Sequence, residues 1–303
     1  MLRRPRHLLW IAALAAAAAA LIAGCGGTGA ASSGTLQVVA AENFWGSIAA
    51  QLGGDRVNVR SIVHNPATDP HDYEPSAADA RTMAGAKLAI VNGIGYDPWA
   101  PKLLDANPVG GRVVVNVGNL AGIKAGGNPH RWYSPQNVHQ VIDAIVADYV
   151  KLDPHDAAYF RGRKTTFEQR GLAQYDGLIA SIKGKYSGVP VGASESIFEP
   201  LAGALGLNLV TPPGFLTAIS EGTDPTAADK ATVDRQIRSH QIKLWVYNSQ
   251  NSTPDVQRLT QEARAAGIPV ATVTETLSPA SASFQEWQSR QLASISSALA
   301  SAH

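Results

Sequence analysis

Two short segments combine residue types that can hold or transform a ligand: Asp69-Pro70-His71-Asp72-Tyr73-Glu74-Pro75 and Asn128-Pro129-His130-Arg131-Trp132. Each sets a histidine directly behind a proline, in a loop between predicted elements, with an aromatic residue close by. Proline restricts the backbone, so an imidazole there is delivered to a defined place. A neutral imidazole in such a loop is a metal ligand or a proton carrier, although a loop histidine also reads as a solvated surface residue. Two acids in the second half complete a candidate set. Glu195 follows the predicted strand Val189–Ala193 and Glu275 follows Pro269–Val273. Both sit just beyond strand carboxyl ends, where open α/β sheets gather ligands, and each taken alone reads as a surface acid.

The elements that position these residues follow from hydrophobic periodicity. Short β-rich runs, Leu36–Ala40, Val57–Val63, Lys87–Asn92 and Arg112–Val117, alternate with helical stretches such as Phe44–Leu52 and a helix capped by Ser76. Alternation of this kind predicts βαβ crossovers and a mainly parallel sheet covered on both faces. Helical periodicity then runs from Pro135, is broken by Pro154, and leaves Asp156–Lys183 as a continuous helix of roughly 40 Å. Strands return near Val189–Ala193, Leu207–Thr211, Lys243–Asn248 and Pro269–Val273. Helices are expected near Ala227–Ser239, Pro254–Ala266 and Ala282–Ala300. The fold class is α/β: two lobes with mainly parallel sheets, joined by one long helix, with a ligand cleft between them. The expected organisation is a signal segment at 1–24, a tether at 25–34, a first lobe at 35–155, a linking helix at 156–184 and a second lobe at 185–303. No sequence repeat relates the two lobes.

The N-terminus describes export. Arg3, Arg4 and Arg6 precede an apolar run from Leu8 to Ile22 that ends at Ala23-Gly24-Cys25. That run is too short for a membrane span, which needs roughly twenty apolar residues. The small-small-Cys ending resembles a bacterial lipobox, which implies cleavage before Cys25, acylation of its thiol, and anchoring to the outer face of the cell membrane. Cys25 is the only cysteine, so no internal disulfide supports the fold. Removing the three signal arginines leaves 22 basic against 24 acidic residues. A nearly neutral chain without a basic run excludes a nucleic-acid partner. The Gly/Ser/Ala-rich stretch Gly26–Gly34 is a flexible tether.

From Leu36 to His303 the chain resembles the solute-binding proteins of zinc and manganese ABC transporters, the cluster A-I receptors. The resemblance rests on D-P-H-x-Y-E-P at Asp69–Pro75, P-H-x-W at Pro129–Trp132, and a long helix in the expected place. It implies a metal held by His71, His130, Glu195 and Glu275, passed by a monomeric receptor to the membrane permease of an ABC importer. Two departures accompany it. Glu275 stands where the family more often has aspartate, and Asn128 replaces the commoner aspartate before the second Pro-His. Glu199 is a rival for the third position.

Two imidazoles and two carboxylates suit manganese, zinc or ferrous iron. No histidine lies between His71 and His130, so the His-rich loop of many zinc-specific members is missing; with Glu195 in third place this leans to manganese, against an affinity order that favours zinc. A metallohydrolase is the rival class, and a surface adhesin a further one. Neither an H-E-x-x-H pair nor a P-loop is present, and Gly192-Ala193-Ser194-Glu195-Ser196 lacks the last glycine of a nucleophile elbow. No enzyme activity is expected. His64 reads as a loop residue or a partner to a ligand, and His139, His155 and His240 as surface residues.

Overall fold

The computed structural model describes residues 35–68 and 70–302. The segments expected as signal and tether, with Cys25, and also Asp69 and His303, lie outside the described residues. The first lobe runs β1 (Leu36–Glu42), α1 (Asn43–Gly53), β2 (Val57–Val63), α2 (Ala77–Gly85), β3 (Leu88–Val91), α3 (Trp99–Ala106), β4 (Val113–Asn116), α4 (Val117–Ala121) and α5 (Pro135–Leu152). Then come α6 (Ala157–Thr166) and α7 (Ala173–Tyr186). The second lobe runs β5 (Pro190–Ala193), α8 (Glu199–Ala204), β6 (Asn208–Leu209), α9 (Pro213–Ser220), α10 (Ala227–Arg238), β7 (Trp245–Asn248), α11 (Pro254–Ala265), β8 (Val270–Val273) and α12 (Phe284–Ser301).

Every strand pairing among the described residues is parallel. The orders are β2-β1-β3-β4 and β6-β5-β7-β8, so the lobes share one topology without sharing a sequence repeat. In each, the order reverses beside the first strand, which opens a crevice at the carboxyl edge. The strands are buried on both faces, as the four apolar residues of β3 show, and this is why they read as continuous hydrophobic runs. The strand expected at Leu207–Thr211 contracts to Asn208–Leu209, because β6 is an edge strand held only by β5.

The long helix is not an unbroken α-helix. α6 and α7 are joined by a π turn at Phe167–Gly171, where the Leu172 N–H reaches the Phe167 carbonyl at 2.9 Å. Gly171 permits this close approach, since a Cβ there would stand 2.9 Å from the Phe167 ring. Apolar periodicity does not distinguish a π turn from the helix around it.

One apolar core runs from Val38 and Phe44 through Trp132, Ile142, Tyr175 and Val191 to Trp287 and Leu299, and so belongs to both lobes. Smaller clusters cover the outer face of each sheet. Phe44 stacks on Trp132 at 4.1 Å between ring centroids. Removing an indole so enclosed costs about 3–5 kcal/mol. The C-terminal helix α12 also ties back to α1: Phe284 N–H donates to Ser47 Oγ at 2.9 Å, and Gln51 Nε2 to Gln285 Oε1 at 3.0 Å. Among the described residues no helix is long and apolar enough to cross a membrane.

Candidate metal centre

His71 sits in the loop from β2 to α2, and the loop is fastened at both ends. Trp99 Nε1 donates to the Pro70 carbonyl at 3.1 Å. Downstream, Ser76 caps α2 in a reciprocal capping box with Asp79. Asp79 Oδ2 accepts from Tyr73 Oη at 2.8 Å and from both the backbone N–H and the hydroxyl of Ser76 at 2.7 Å. Burial pushes the Asp79 carboxyl up, but the Ser76 and Tyr73 hydrogen bonds outweigh it and hold the group below its usual range.

His130 is 1% exposed, in the loop that follows α4. Its Nδ1 lies 2.9 Å from Asn128 Oδ1, which only accepts, so Nδ1 carries the proton and Nε2 keeps a free lone pair. The amide orientation is consistent at its other end, where Asn128 Nδ2 donates to the Ser196 carbonyl at 2.7 Å and to Glu199 Oε2 at 2.6 Å. One amide therefore sets the tautomer of His130 and ties the first lobe to the second. Asn92 Nδ2 supports the same loop through the Pro129 carbonyl at 2.9 Å. Burial, then the neighbouring His71 and Arg131, push the His130 pKa well below its usual value, which keeps the ring neutral.

Both acids arrive from the second lobe. Glu195, 1% exposed, follows β5, and the partly buried Glu275 follows β8. His130 Nε2 lies 3.6 Å from Glu275 Oε2, across the two lobes. Asn248, at the end of β7, donates through Nδ2 to Glu275 Oε1 at 2.8 Å and makes a short hydrogen bond to Glu195 Oε1. Asn251 Nδ2 donates to Glu195 Oε2 at 2.6 Å, and Tyr96 Oη to Glu275 Oε2 at 3.0 Å. Each of these four carboxylate oxygens thus takes a hydrogen bond from a neutral donor.

Tyr96 comes from a turn with three successive positive φ angles: Gly93 at 72°, Ile94 at 61° and Gly95 at 88°. A β-branched residue is strained in that conformation, so the turn must be held by its surroundings. The Tyr96 ring packs edge-on against His71, with centroids 4.7 Å apart. Two of the cavities beside His71 also reach residues of the second lobe. The larger, about 360 Å³, is bordered by His71, His130, Ser196, Glu199 and Glu221; the smaller, about 170 Å³, by His71, Gln250, Asn251 and Glu275.

His71, His130 and Glu275 thus face the same cleft, and Glu195 joins them through the shared Asn248. Glu199 borders the larger cavity, with its Oε2 occupied by Asn128. His139 lies on α5 beside Glu168 and Asp176, at 3.7 and 3.8 Å; His155 is on the surface. His64 Nδ1 stands 3.0 Å from the Ile62 carbonyl. Sequence reasoning missed Tyr96, Asn248 and Asn251. Tyr96 and Asn251 follow strands and Asn248 ends one, at the carboxyl edges of the two sheets, so the positional rule that selected Glu195 and Glu275 applies to them too; their amide and phenol groups carried no ligand signal.

Residues 38–298 match the family described as the periplasmic component A of zinc-uptake complexes, ZnuA. A manganese-binding lipoprotein of Halalkalibacterium halodurans is 30% identical over 148 residues, covering 47% of this chain and about half of the relative, 49%. A metal ABC transporter substrate-binding lipoprotein of Streptococcus parasanguinis is 25% identical over 77% of this chain and 79% of its own. The fold is similar to a manganese-bound periplasmic metal binding protein of Candidatus Liberibacter asiaticus, with a TM-score of 0.72 at 21% identity over 86% of this chain and 98% of that one.

Proposed function

Because the chain belongs to the ZnuA family of metal-binding, non-enzymatic components of ABC uptake systems, we propose that it captures a divalent ion with His71, His130, Glu195 and Glu275 and delivers it to the membrane permease. The observation that carries this reading is the approach of His130 Nε2 to Glu275 Oε2 at 3.6 Å, one donor from each lobe, beside a second histidine. An ion there draws the lobes together through its own bonds. His130 contributes a neutral imidazole of fixed tautomer, so no proton has to leave it at neutral pH. The two carboxylates balance the ion's charge, and the amides of Asn248 and Asn251 and the Tyr96 hydroxyl orient them.

The oxygen-rich donor set supports manganese as the transported ion, in opposition to the Irving–Williams order, which favours zinc at such a site. The relative from Halalkalibacterium halodurans is a manganese-binding lipoprotein, which accords with that choice. The protein acts outside the cytoplasm, and we place it on the membrane as a monomer held through acylated Cys25.

Metal content and competition binding on the soluble chain from Gly26 onward test the reading, with His71→Ala and His130→Ala alongside. The expected result is one ion per chain, with affinity reduced in both variants by at least the roughly tenfold seen when even outer partners are removed. Competition among manganese, zinc and ferrous iron then identifies the ion. Equal binding by wild type and variants overturns the ligand assignment.

A further inference from the structure

Two acids are buried side by side next to the turn that carries Tyr96. Glu42, at the end of β1, is wholly buried; Asp97, just after Tyr96, is 1% exposed. Asp97 is well supplied with donors: its Oδ2 accepts the Asn92 N–H at 2.8 Å and its Oδ1 the Gly93 N–H at 2.7 Å. Glu42 is not, since among the described residues no side-chain N–H or O–H and no other residue's backbone N–H donates to either of its oxygens. In the parallel pairing of β1 with β3, Ala40 stands opposite Ile90, so Glu42 comes level with Asn92, whose N–H Asp97 holds, and Asp97 is the titratable group that acts on Glu42.

Two ionised carboxylates cannot donate to each other, and in a dry site their repulsion goes uncompensated. A single proton resolves the arrangement. The two backbone N–H groups stabilise charge on Asp97, so the proton belongs on Glu42. We propose that Glu42 is held as a neutral carboxylic acid whose O–H bonds to the Asp97 carboxylate, and that this pair is the positioning element of the turn from Asn92 to Asp97. The direction of titration agrees. Burial, then the charge of Asp97, drive Glu42 well above the usual range, and burial raises Asp97 to about 6 against the pull of its backbone donors.

The pair matters because of what the turn carries. Asp97 grips the start of the strained Gly93–Gly95 segment, and Tyr96 leaves that segment to meet Glu275 and His71. Asn92, in the same turn, accepts from Trp45 Nε1 at 3.1 Å and donates to the Pro129 carbonyl, immediately before His130. Neither acid touches the proposed ligands in these interactions; they act through the backbone. The effect on metal affinity rests on the ligand set proposed above, whereas the protonation state does not.

Three measurements on the full soluble domain test the proposal. Infrared spectra of protein carrying carboxyl-labelled glutamate should show a protonated carboxyl band at neutral pH that disappears on alkalinisation and is missing in Glu42→Gln. A wild-type spectrum without the band overturns the proposal before any variant is made. Urea midpoints against pH are the second. A raised folded-state pKa means that the contribution of Glu42 is complete below its unfolded value of about 4.3 and is lost as pH rises towards the folded value. Wild type should therefore lose stability with rising pH more steeply than Glu42→Gln; equal slopes refute the shared proton. Third, Glu42→Gln keeps a donor to Asp97 and should retain metal affinity within about twofold, while Glu42→Met, of similar size without a donor, should weaken it about tenfold. A Gln variant as weak as the Met variant shows that shape, and not the donated hydrogen bond, is what the turn requires. If wild type itself binds no metal, the ligand assignment fails and the first two arms still decide the protonation.

Discussion

Asn128→Asp isolates what the amide does in this chain. The substituted carboxylate keeps the acceptor for His130 Nδ1 and the His130 N–H but loses both donors on the other side. The bond to the Glu199 carboxylate is worth about 1.5–3 kcal/mol and that to the Ser196 carbonyl about 0.5–1.5 kcal/mol. A second negative charge close to Glu199 adds repulsion of about 1–4 kcal/mol, depending on how far water screens it. The stronger charge-assisted bond to His130 offsets about 1 kcal/mol of this. The net expectation is a loss of about 2–7 kcal/mol, and a loss of about 5 kcal/mol lowers Tm by about 10–20 °C for a domain of this size. Metal affinity should move the other way or hold, since a carboxylate behind the imidazole makes it a better donor. Calorimetric melting of the metal-free protein reads the first effect and competition binding the second. Adding Glu199→Gln supplies an amide that can donate to the new carboxylate and should recover most of the stability. Acidification should also narrow the gap, as a carboxylate takes up a proton. An unchanged Tm, or a loss that Glu199→Gln leaves untouched, would refute the account of Asn128 as the tie between lobes.

Other substitutions probe the supports further out. Asp79→Ala removes the acceptor shared by Tyr73 and Ser76 and should cost about 1–2 kcal/mol in urea unfolding. Because the folded-state pKa of Asp79 is lowered, its contribution is present above pH about 4 and is lost as pH falls through the folded value, so wild type and variant should converge in acid. Cys25→Ser should move the protein from the membrane fraction to the soluble fraction and abolish the acyl mass on the mature N-terminus; retention in the membrane refutes lipid anchoring.

The parallel sheets were legible because strands buried on both faces leave unbroken apolar runs, as Leu88–Val91 does. The loops of His71 and His130 were legible because proline and histidine together are informative at so few positions. What escaped notice is relational. Asn248 acts by standing between two acids distant in sequence, and Asn128 by reaching Ser196 and Glu199 in the other lobe. Glu42 reads as an ordinary polar residue at a strand end until Asp97 is seen beside it. The π turn at Phe167–Gly171 was hidden because its one extra residue shows only as a single five-residue step between the buried Phe167 and Leu172, which an apolar pattern read by eye absorbs. Short edge strands such as β6 are likewise decided by a single neighbour and not by their own residues.

The apolar core that passes without a break from Val38 to Leu299 bears on how the molecule comes apart. Two lobes with separate cores would melt in turn, each with its own midpoint, and could swing widely about their connection. Here, opening the lobes fully means exposing the shared interior to water, which is close to unfolding. Calorimetric and van 't Hoff enthalpies should therefore coincide over one transition. Release of an ion then has to proceed through small displacements at the carboxyl edges of the sheets, with the body of the protein acting as a rigid handle that a membrane partner can push against.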